Sequence, residues 1–252
     1  MMFLFLAAGF PVIAQEVEDV SLVLQDGSTL RYALVLPRHF DTYREYPVLL
    51  ALPPGPQDRD MVDAGLSRYW GRQAAAREWL VVSPVAPRGR LFFKGSEDVL
   101  PQLLDELQKK YQVEGGKFHL AGVSNGGLSA FRIAINWPER FHSLTVLPGF
   151  PPTDRDFQRL DRLKGLPINM FAGSKDKEWV DEETRTHEKL NELGIPSTLK
   201  IFPHEGHVPA SMDGEMVMDL LETLRPVPQE SVGSPPADQP GDAHETNQKP
   251  EG

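Results

Sequence analysis

The sequence predicts an α/β protein with a doubly wound, mostly parallel sheet flanked by helices. Short apolar runs alternate along the chain with longer segments whose apolar residues recur at helical spacing. Several of the short runs are apolar throughout, which is typical of strands that are covered on both faces of a parallel sheet. A glycine-rich turn, Gly122-Val-Ser-Asn-Gly126, joins one such run to a helical segment.

The composition limits the classes of function. The chain has 252 residues, of which 40% are hydrophobic, so it is long and apolar enough to bury a sizeable core. Its net charge of −10 argues against nucleic acid or an anionic membrane as a partner. Because the chain has no cysteine, disulfides, thiolate metal sites and a cysteine nucleophile are excluded.

The first fourteen residues have the apolar character of a secretory signal. Small residues, Val12 and Ala14, precede an expected cut ahead of Gln15, although the usual positive charge at the start is missing. The segment is too short to span a bilayer, so we expect no stable membrane anchor. This interpretation places the protein in the periplasm or outside the cell. The alternative, that 1–14 is an ordinary buried strand, leaves it in the cytoplasm.

Residues 226–252 are rich in proline, glycine, serine and glutamate and contain no aromatic residue. Five acidic residues against Lys249 alone give this tail a net charge of −4. Such a segment cannot bury enough apolar surface to fold, so we expect a disordered tail. The folded domain is therefore expected to comprise residues 15–225.

A hairpin is predicted first, because two runs alternate with period two on either side of the turn Asp26-Gly27. Its strands are Val20–Leu24 and Leu30–Leu36. The parallel strands are predicted at Tyr46–Leu52, Trp79–Pro84, Phe118–Ala121, Leu144–Leu147, Ile168–Ala172 and Thr198–Phe202.

Helices are predicted between these strands from apolar residues at helical spacing. They lie at Met61–Arg77, around the stripe Leu100, Leu103, Leu104, Leu107 and Tyr111, and at Leu128–Ile135, Glu182–Leu193 and Glu215–Leu224. Gly194 and Pro196 form a normal helix end after Leu193. The connection 150–167 has room for one short helix but not for a large cap domain.

The turn Gly122-Val-Ser-Asn-Gly126 matches Gly-x-Ser-x-Gly between a strand and a helix, which is the pattern of a nucleophile elbow. Its glycines allow a sharp turn that holds Ser124 in a strained backbone conformation. The helix that follows adds the positive end of its dipole. We therefore interpret Ser124 as a nucleophile. The alternative is a glycine-rich turn with an accidental serine.

A serine nucleophile needs a base, and with this elbow the expected chain order is Ser, then Asp or Glu, then His. The histidines after Ser124 are His142, His187, His204, His207 and His244. His207 lies in the loop that leaves the last predicted strand, where a base can be delivered, and Gly206 gives that loop freedom. His204 is the nearest competitor. The pair is three residues apart and flanked by Pro203 and Gly206, which does not fit a zinc-binding helix, so no metal site is predicted.

Asp176 is the candidate for the acid that orients the base. It follows a predicted strand and opens a loop at the edge of the sheet where ligands of open α/β sheets bind. Asp181, Glu178 and Glu182 are nearby, but they fit better as the acidic first turn of the next helix.

Together these motifs resemble those of an α/β-hydrolase. The pattern is similar to that of the lid-less serine carboxylesterases grouped with polyhydroxybutyrate-depolymerase-like and feruloyl-esterase-like proteins. It rests on Gly122–Gly127, Gly173–Asp176, Gly206-His207 and Trp137–Phe141 and covers roughly residues 20–225. The resemblance implies Ser124 as nucleophile, Asp176 as acid and His207 as base, with no cofactor and with a small-molecule or polymer-linked ester as substrate.

One loop departs from this resemblance. In many relatives the strand before the first helix ends in His-Gly-Gly or similar, whereas here it ends in Leu52-Pro-Pro-Gly-Pro-Gln57. An oxyanion hole needs backbone N–H groups, and proline has none. Gly55 or Gln57 is then the expected second donor beside the N–H of Asn125.

Two aromatic residues, Trp179 and Phe150, are candidates for the wall of a substrate pocket. Isolated aromatic residues are more often part of the core packing. The expected reaction is hydrolysis of carboxylic esters through an acyl-enzyme intermediate. A serine peptidase, an acyltransferase and a catalytically inactive binding protein of the same fold are the alternatives; reaction with a fluorophosphonate separates the last from the others.

Overall fold

The computed structural model describes residues 17–226. The predicted signal segment at 1–14 and all but the first residue of the tail 226–252 lie outside the described residues, so both stay predictions. Within residues 17–226, no helix is both long and apolar enough to cross a membrane.

Eight strands form one sheet in the order β1-β2-β4-β3-β5-β6-β7-β8. They are β1 (Val17–Val23), β2 (Thr29–Val35), β3 (Val48–Leu52), β4 (Leu80–Pro84), β5 (Phe118–Gly122), β6 (Phe141–Val146), β7 (Ile168–Gly173) and β8 (Ser197–Phe202). β1 and β2 form the predicted antiparallel hairpin, and β2 also runs antiparallel to β4. From β4 to β8 all neighbouring strands are parallel. The predicted fold class is thus confirmed.

Helices cover both faces of the sheet. They are α1 (Arg59–Gly65), α2 (Gly71–Ala76), α3 (Leu100–Lys110), α4 (Asn125–Asn136), α5 (Asp154–Phe157), α6 (Lys177–Glu192) and α7 (Gly214–Thr223). α3, α4 and α6 contribute to one apolar cluster, and α1, α2 and α7 contribute to a second. Because the central strands β3, β4 and β5 lie between the two clusters, every one of their residues is buried. This explains their continuous apolar sequences.

The predicted helix Met61–Arg77 is interrupted. A π-helical segment, Leu66–Trp70, separates α1 from α2. A wider turn shifts the helical register, so the adjacent rings of Tyr69 and Trp70 are both turned into the core and are only 4% and 1% exposed. Apolar spacing alone does not reveal such a shift.

Several elements begin three or more residues earlier than predicted, among them β1 at Val17 and α4 at Asn125. α6 starts at Lys177 rather than Glu182, since the turn after β7 ends at Asp176. Of the acidic residues expected in the first turn of this helix, only Glu178 lies there. β6 starts at Phe141 rather than Leu144. In the described chain the 147–167 connection holds only α5 and a short 3-10 turn, as expected for a protein without a large cap domain.

A histidine is fully buried in the central strand β5. The Nδ1 atom of His119 lies 2.8 Å from the Ser143 hydroxyl, and its ring lies between Trp79 and His142. Burial lowers the pKa of His119 to about 3, with smaller contributions from His142 and Arg225. The ring is therefore neutral in the folded protein, whereas in the unfolded chain it takes up a proton below about pH 6.5.

This difference predicts an acid-sensitive core. The unfolded state binds a proton at His119 more readily than the folded state does. Titration of this residue therefore leaves the unfolding free energy unchanged above pH 6.5 and lowers it as the pH falls from 6.5 towards 3. His119→Asn keeps a polar group near Ser143 but does not titrate. From pH 7 to pH 5, we expect the unfolding free energy of the wild type to fall by about 2 kcal/mol relative to that of the variant. Urea unfolding at both pH values measures this difference, and a constant difference contradicts the assignment.

Candidate active site

Ser124 lies in the sharp turn between β5 and α4, at the carboxyl edge of the parallel strands. Its backbone has φ 55° and ψ −118°, a conformation that is strained for any residue other than glycine. Hydrogen bonds to neighbouring strand ends hold the turn: the Val123 N–H donates to Leu52 O at 3.3 Å, and the Ser124 N–H donates to Leu147 O at 3.3 Å. The surrounding structure therefore stabilises the strained conformation.

Glycines on both sides of Ser124 allow backbones to pack against each other without space for a side chain. A Cβ atom on Gly122 would lie 2.1 Å from Gly126 O. A Cβ atom on Gly126 would lie 2.2 Å from Leu52 O. Both positions thus require glycine for steric reasons, as the Gly-x-Ser-x-Gly pattern predicts.

Three side chains from distant parts of the chain meet at this edge. The Nε2 atom of His207 lies 2.7 Å from the Oγ atom of Ser124. The Nδ1 atom of the same ring lies 2.5 Å from the Oδ2 atom of Asp176. Ser124 follows β5, Asp176 follows β7 and His207 follows β8. The structure brings together the three residues singled out in the sequence as nucleophile, acid and base.

The hydrogen bonds define the protonation pattern of this group. A carboxylate only accepts hydrogen bonds, so Nδ1 of His207 carries the proton and donates to Asp176. Nε2 then has a free lone pair that accepts the hydrogen of the Ser124 hydroxyl. The side chains of His207 and Asp176 are 36% and 25% exposed, so the group is open to solvent on one side.

The loops that carry the acid and the base are joined directly. The Lys175 N–H donates to Glu205 O at 2.9 Å, and the Ser174 N–H donates to Phe202 O at 2.9 Å. His204, the competing candidate for the base, is exposed, and its N–H is bound by the Ser174 hydroxyl at 2.8 Å. Its backbone helps to join the two loops, whereas within residues 17–226 its ring makes no hydrogen bond to Ser124 or Asp176.

The proline-rich loop after β3 lies beside the Ser124 turn. The side-chain amide of Asn125 donates to Gly55 O at 2.8 Å, so the two residues expected to supply oxyanion donors are neighbours. In the part of the chain that the structure describes, neither the Gly55 N–H nor the Asn125 N–H has a hydrogen-bond acceptor. The Gln57 N–H, the other predicted donor, is already bound to Pro54 O at 3.0 Å. The prediction is therefore corrected at Gln57: its amide hydrogen is used within the turn.

Gln57 instead anchors the loop through its side chain, which is fully buried. Its Nε2 atom donates to Pro53 O at 3.2 Å and to the Ser129 hydroxyl at 3.1 Å, and its Oε1 atom accepts from the Phe92 N–H at 2.9 Å. One side chain thus connects the loop to α4 and to the segment after β4. In the sequence, the only sign of this role is a polar residue directly after a run of prolines. The partners of Gln57 could not be predicted, because they are distant in the chain.

The two aromatic residues proposed as a pocket wall are in contact. The rings of Phe150 and Trp179 have centroids 4.9 Å apart and meet edge to face. The Trp179 ring also meets the His207 imidazole edge to face, with centroids 4.5 Å apart. Both side chains are half-buried. They form a continuous aromatic wall that starts at His207.

A buried carboxyl group behind this wall was missed in the sequence. Glu183 of α6 is fully buried, and its Oε1 atom accepts from the Gly149 N–H at 2.7 Å. Burial raises its pKa to about 8, the Gly149 hydrogen bond opposes this shift, and the charge of Asp176 adds to it. In the sequence, Glu183 is the last of three consecutive acidic residues, 181–183, a pattern typical of an exposed helix surface. Its alignment with the buried residues Thr186 and Leu190 on one helical face was the signal that could have identified it.

The network of Gln57 predicts a loss of stability when its side chain becomes apolar. Gln57→Leu keeps the approximate size but leaves the Phe92 N–H and the Pro53 carbonyl without partners. We expect the unfolding free energy to fall by about 2–4 kcal/mol, since each buried unpaired group costs about 1–3 kcal/mol. Chemical denaturation measures this loss. Gln158→Leu, at an exposed position, is the control and should change stability by less than about 0.5 kcal/mol; equal effects of the two changes contradict the proposed anchoring.

Comparisons with known proteins agree with this architecture. No protein-family model matches the chain. The chain is 27% identical over 141 residues to dipeptidyl-peptidase 5 of Porphyromonas gingivalis, a match that includes 49% of this chain and 20% of that protein, so it spans about a fifth of this relative.

Solved structures match more of the chain. A thermostable esterase superimposes with a TM-score of 0.68 and 17% identity over 82% of this chain and 62% of the esterase. A ferulic acid esterase superimposes with a TM-score of 0.58 and 18% identity over 83% of this chain and 96% of the esterase. Superposition at these TM-scores shows that the chain shares the fold of these two esterases. The chain therefore has the α/β-hydrolase fold.

Proposed function

We propose that this protein is a serine hydrolase that cleaves carboxylic esters through an acyl-enzyme intermediate. The observation that carries the proposal is the pair of hydrogen bonds from His207 to Ser124, at 2.7 Å, and to Asp176, at 2.5 Å. This is the geometry of a nucleophile, a base within reach of its proton and an acid that orients the base. The strained turn at Ser124 and the resemblance to lid-less carboxylesterases support it further.

The reaction follows from the positions of the three side chains. The Ser124 oxygen attacks the ester carbonyl carbon while His207 Nε2 takes the hydroxyl proton, and Asp176 stabilises the resulting imidazolium. The imidazolium then gives this proton to the departing alcohol oxygen as the carbon–oxygen bond breaks, which leaves the acyl group on Ser124. Water attacks the acyl carbon while His207 takes one of its protons, and the imidazolium then returns this proton to the Ser124 oxygen as the bond from that oxygen to the acyl carbon breaks and the carboxylic acid leaves. The residues themselves complete each proton transfer, so the proposal includes no cofactor.

The developing oxyanion needs hydrogen-bond donors beside Ser124. We assign this role to the N–H groups of Asn125 and Gly55. The amide of Asn125 holds the Gly55 carbonyl at 2.8 Å and thereby fixes the orientation of the glycine backbone. Flanking prolines restrict the same loop, so the donors are preorganised before substrate binds.

The openness of the site supports a small-molecule or polymer-linked ester as the substrate. In the described chain, α5 and one 3-10 turn are the only elements between β6 and β7, so a chain-like substrate can approach the half-buried Ser124. The aromatic wall of Trp179 and Phe150 is suited to hold an apolar part of the ester next to His207.

A serine peptidase is the second candidate, because the chain resembles part of dipeptidyl-peptidase 5 at 27% identity. The same three side chains serve amide and ester hydrolysis. Turnover of an ester and of its matching amide separates the two functions. An added alcohol acceptor in the same assay reveals acyl transfer.

The proposed triad makes a direct prediction. Ser124→Ala and His207→Ala should each lower ester turnover by about 10⁶-fold in kcat, because the residues act as one unit. Asp176→Asn should lose most activity, since the imidazole is then held in the wrong tautomer. Initial rates with 4-nitrophenyl acetate measure the losses, and melting curves confirm that the variants fold.

His204→Ala is the matched control, because this histidine lies in the same loop without contacting Ser124. It should keep its activity within about 3-fold of wild type, which is the ordinary effect of a surface change. Loss of turnover in His204→Ala with a fully active His207→Ala would sink the assignment of the base. A folded wild type that neither hydrolyses esters nor reacts with a fluorophosphonate would make the protein a binding protein instead.

The oxyanion assignment predicts a smaller effect at Asn125. Asn125→Ala keeps the backbone N–H of this residue but removes the bond that orients Gly55. We expect kcat to fall on the order of 10-fold with little change in KM, less than the 10²- to 10³-fold loss that follows removal of a donor itself. Steady-state kinetics measure both constants. An Asn125→Ala variant with unchanged kcat shows that the Gly55 loop does not contribute to the oxyanion site.

A further inference from the structure

Glu183 of α6 is a fully buried ionisable group that the proposed reaction does not use. It lies seven residues after Asp176, which immediately precedes α6. Its Oε1 atom accepts from the Gly149 N–H at 2.7 Å, whereas its buried Oε2 atom has no partner in the described chain. A buried polar atom without a hydrogen-bond partner lowers the stability of the folded protein.

The segment that Glu183 holds contacts the site on two sides. Residues 147–150 follow β6. At one end of this segment, Leu147 donates to Gly122 O at 2.9 Å and accepts from the Ser124 N–H at 3.3 Å. At the other end Phe150 packs against Trp179, which packs against His207. Gly149, bound by Glu183, lies between these two contacts.

From these contacts we propose that Glu183 is a positioning residue, which fixes the Gly149 amide and thereby holds the aromatic wall of Phe150 and Trp179 against His207. The proposal rests on the proposed serine hydrolase function. It adds to it a residue that contacts neither the substrate nor the reacting atoms. Through the wall, Glu183 influences both the orientation of the base and the surface available to the ester.

The charges around Glu183 support a neutral carboxyl group. Asp176 is the charged neighbour that acts on it, and it raises the pKa of Glu183, as burial does. Three basic groups on α6, on β8 and in the turn before β7 have partners of their own: Arg185 stacks on Phe157, Lys200 lies over Phe202, and Arg162 donates to Asn136 O. With a pKa of about 8, Glu183 is protonated at neutral pH. Glutamine, which is neutral and has the same shape, is then a faithful substitute.

Two variants separate the effect of the Glu183–Gly149 hydrogen bond from the effect of the volume that the Glu183 side chain fills. Glu183→Gln keeps an acceptor for Gly149, and Glu183→Leu removes it at similar size. Thr186→Val is the control on the same buried face of α6, since among the described residues the Thr186 hydroxyl bonds only to Glu182 O within its own helix. Melting curves and the far-UV spectrum establish that each variant folds.

We expect kcat/KM at pH 7 to fall at least 10-fold in Glu183→Leu and to stay within about 3-fold of wild type in Glu183→Gln and Thr186→Val. Rescue by glutamine distinguishes positioning through the acceptor from a general packing effect. The proposal is overturned if folded Glu183→Leu keeps wild-type kcat/KM, or if Glu183→Gln is as impaired as Glu183→Leu.

Hydrogen exchange at the Gly149 amide provides a readout that does not depend on turnover. The amide should be protected in wild type and in Glu183→Gln and should exchange much faster in Glu183→Leu. Equal exchange in all three overturns the contact itself. A wild type without ester turnover but with this exchange pattern refutes the hydrolase and leaves the contact intact, so the two failures are distinguishable. Should Glu183→Leu not fold, loss of protection in Glu183→Gln overturns the proposal in its place.

Discussion

The close packing of backbone around the turn at Ser124 is the constraint on which the site depends. The turn is hydrogen-bonded to the end of β3 through Leu52 and to the end of β6 through Leu147, and Gly126 leaves no room between the turn and Leu52. The strained serine is therefore fixed by two neighbouring strands at once. The same contacts set the positions of the loop that holds Gly55 and of the segment that leads to Phe150, so the proposed nucleophile, the proposed oxyanion donors and the aromatic wall share one rigid support.

Two buried groups, His119 and Glu183, are uncharged in the folded protein, but their effects on stability depend on pH in opposite directions. The pKa of His119 is lowered to about 3, so its contribution increases as the pH rises to 6.5. The pKa of Glu183 is raised to about 8, so its contribution is complete below pH 4.5 and is lost as the pH rises through 8. Between pH 4.5 and 6.5 the two changes offset each other. The combined contribution of these two residues to the unfolding free energy therefore changes little with pH in this window.

Most of the fold and the group around Ser124 could be predicted from the sequence because their signals are local. Fully covered strands are continuous apolar runs, and the turn at Ser124 needs glycines at fixed spacing. The roles of Gln57 and Glu183 could not be predicted, since each depends on partners far away in the chain. The start of α6 was missed for a related reason: acidic residues mark the first turn of many helices, but here the row 181–183 lies further along, with Glu183 turned into the core.

His207 is carried by the end of an edge strand. Among residues 17–226, β8 pairs only with β7, and three of its six residues are exposed, whereas β5, which leads to Ser124, lies inside the sheet with every residue buried. The proposed nucleophile and the proposed base thus belong to regions of unequal local stability. Edge strands open in partial unfolding events that leave the centre of a sheet intact. Such an opening separates the base from the nucleophile in a chain that is otherwise folded, so the free energy that keeps the site assembled is smaller than the free energy that keeps the protein folded.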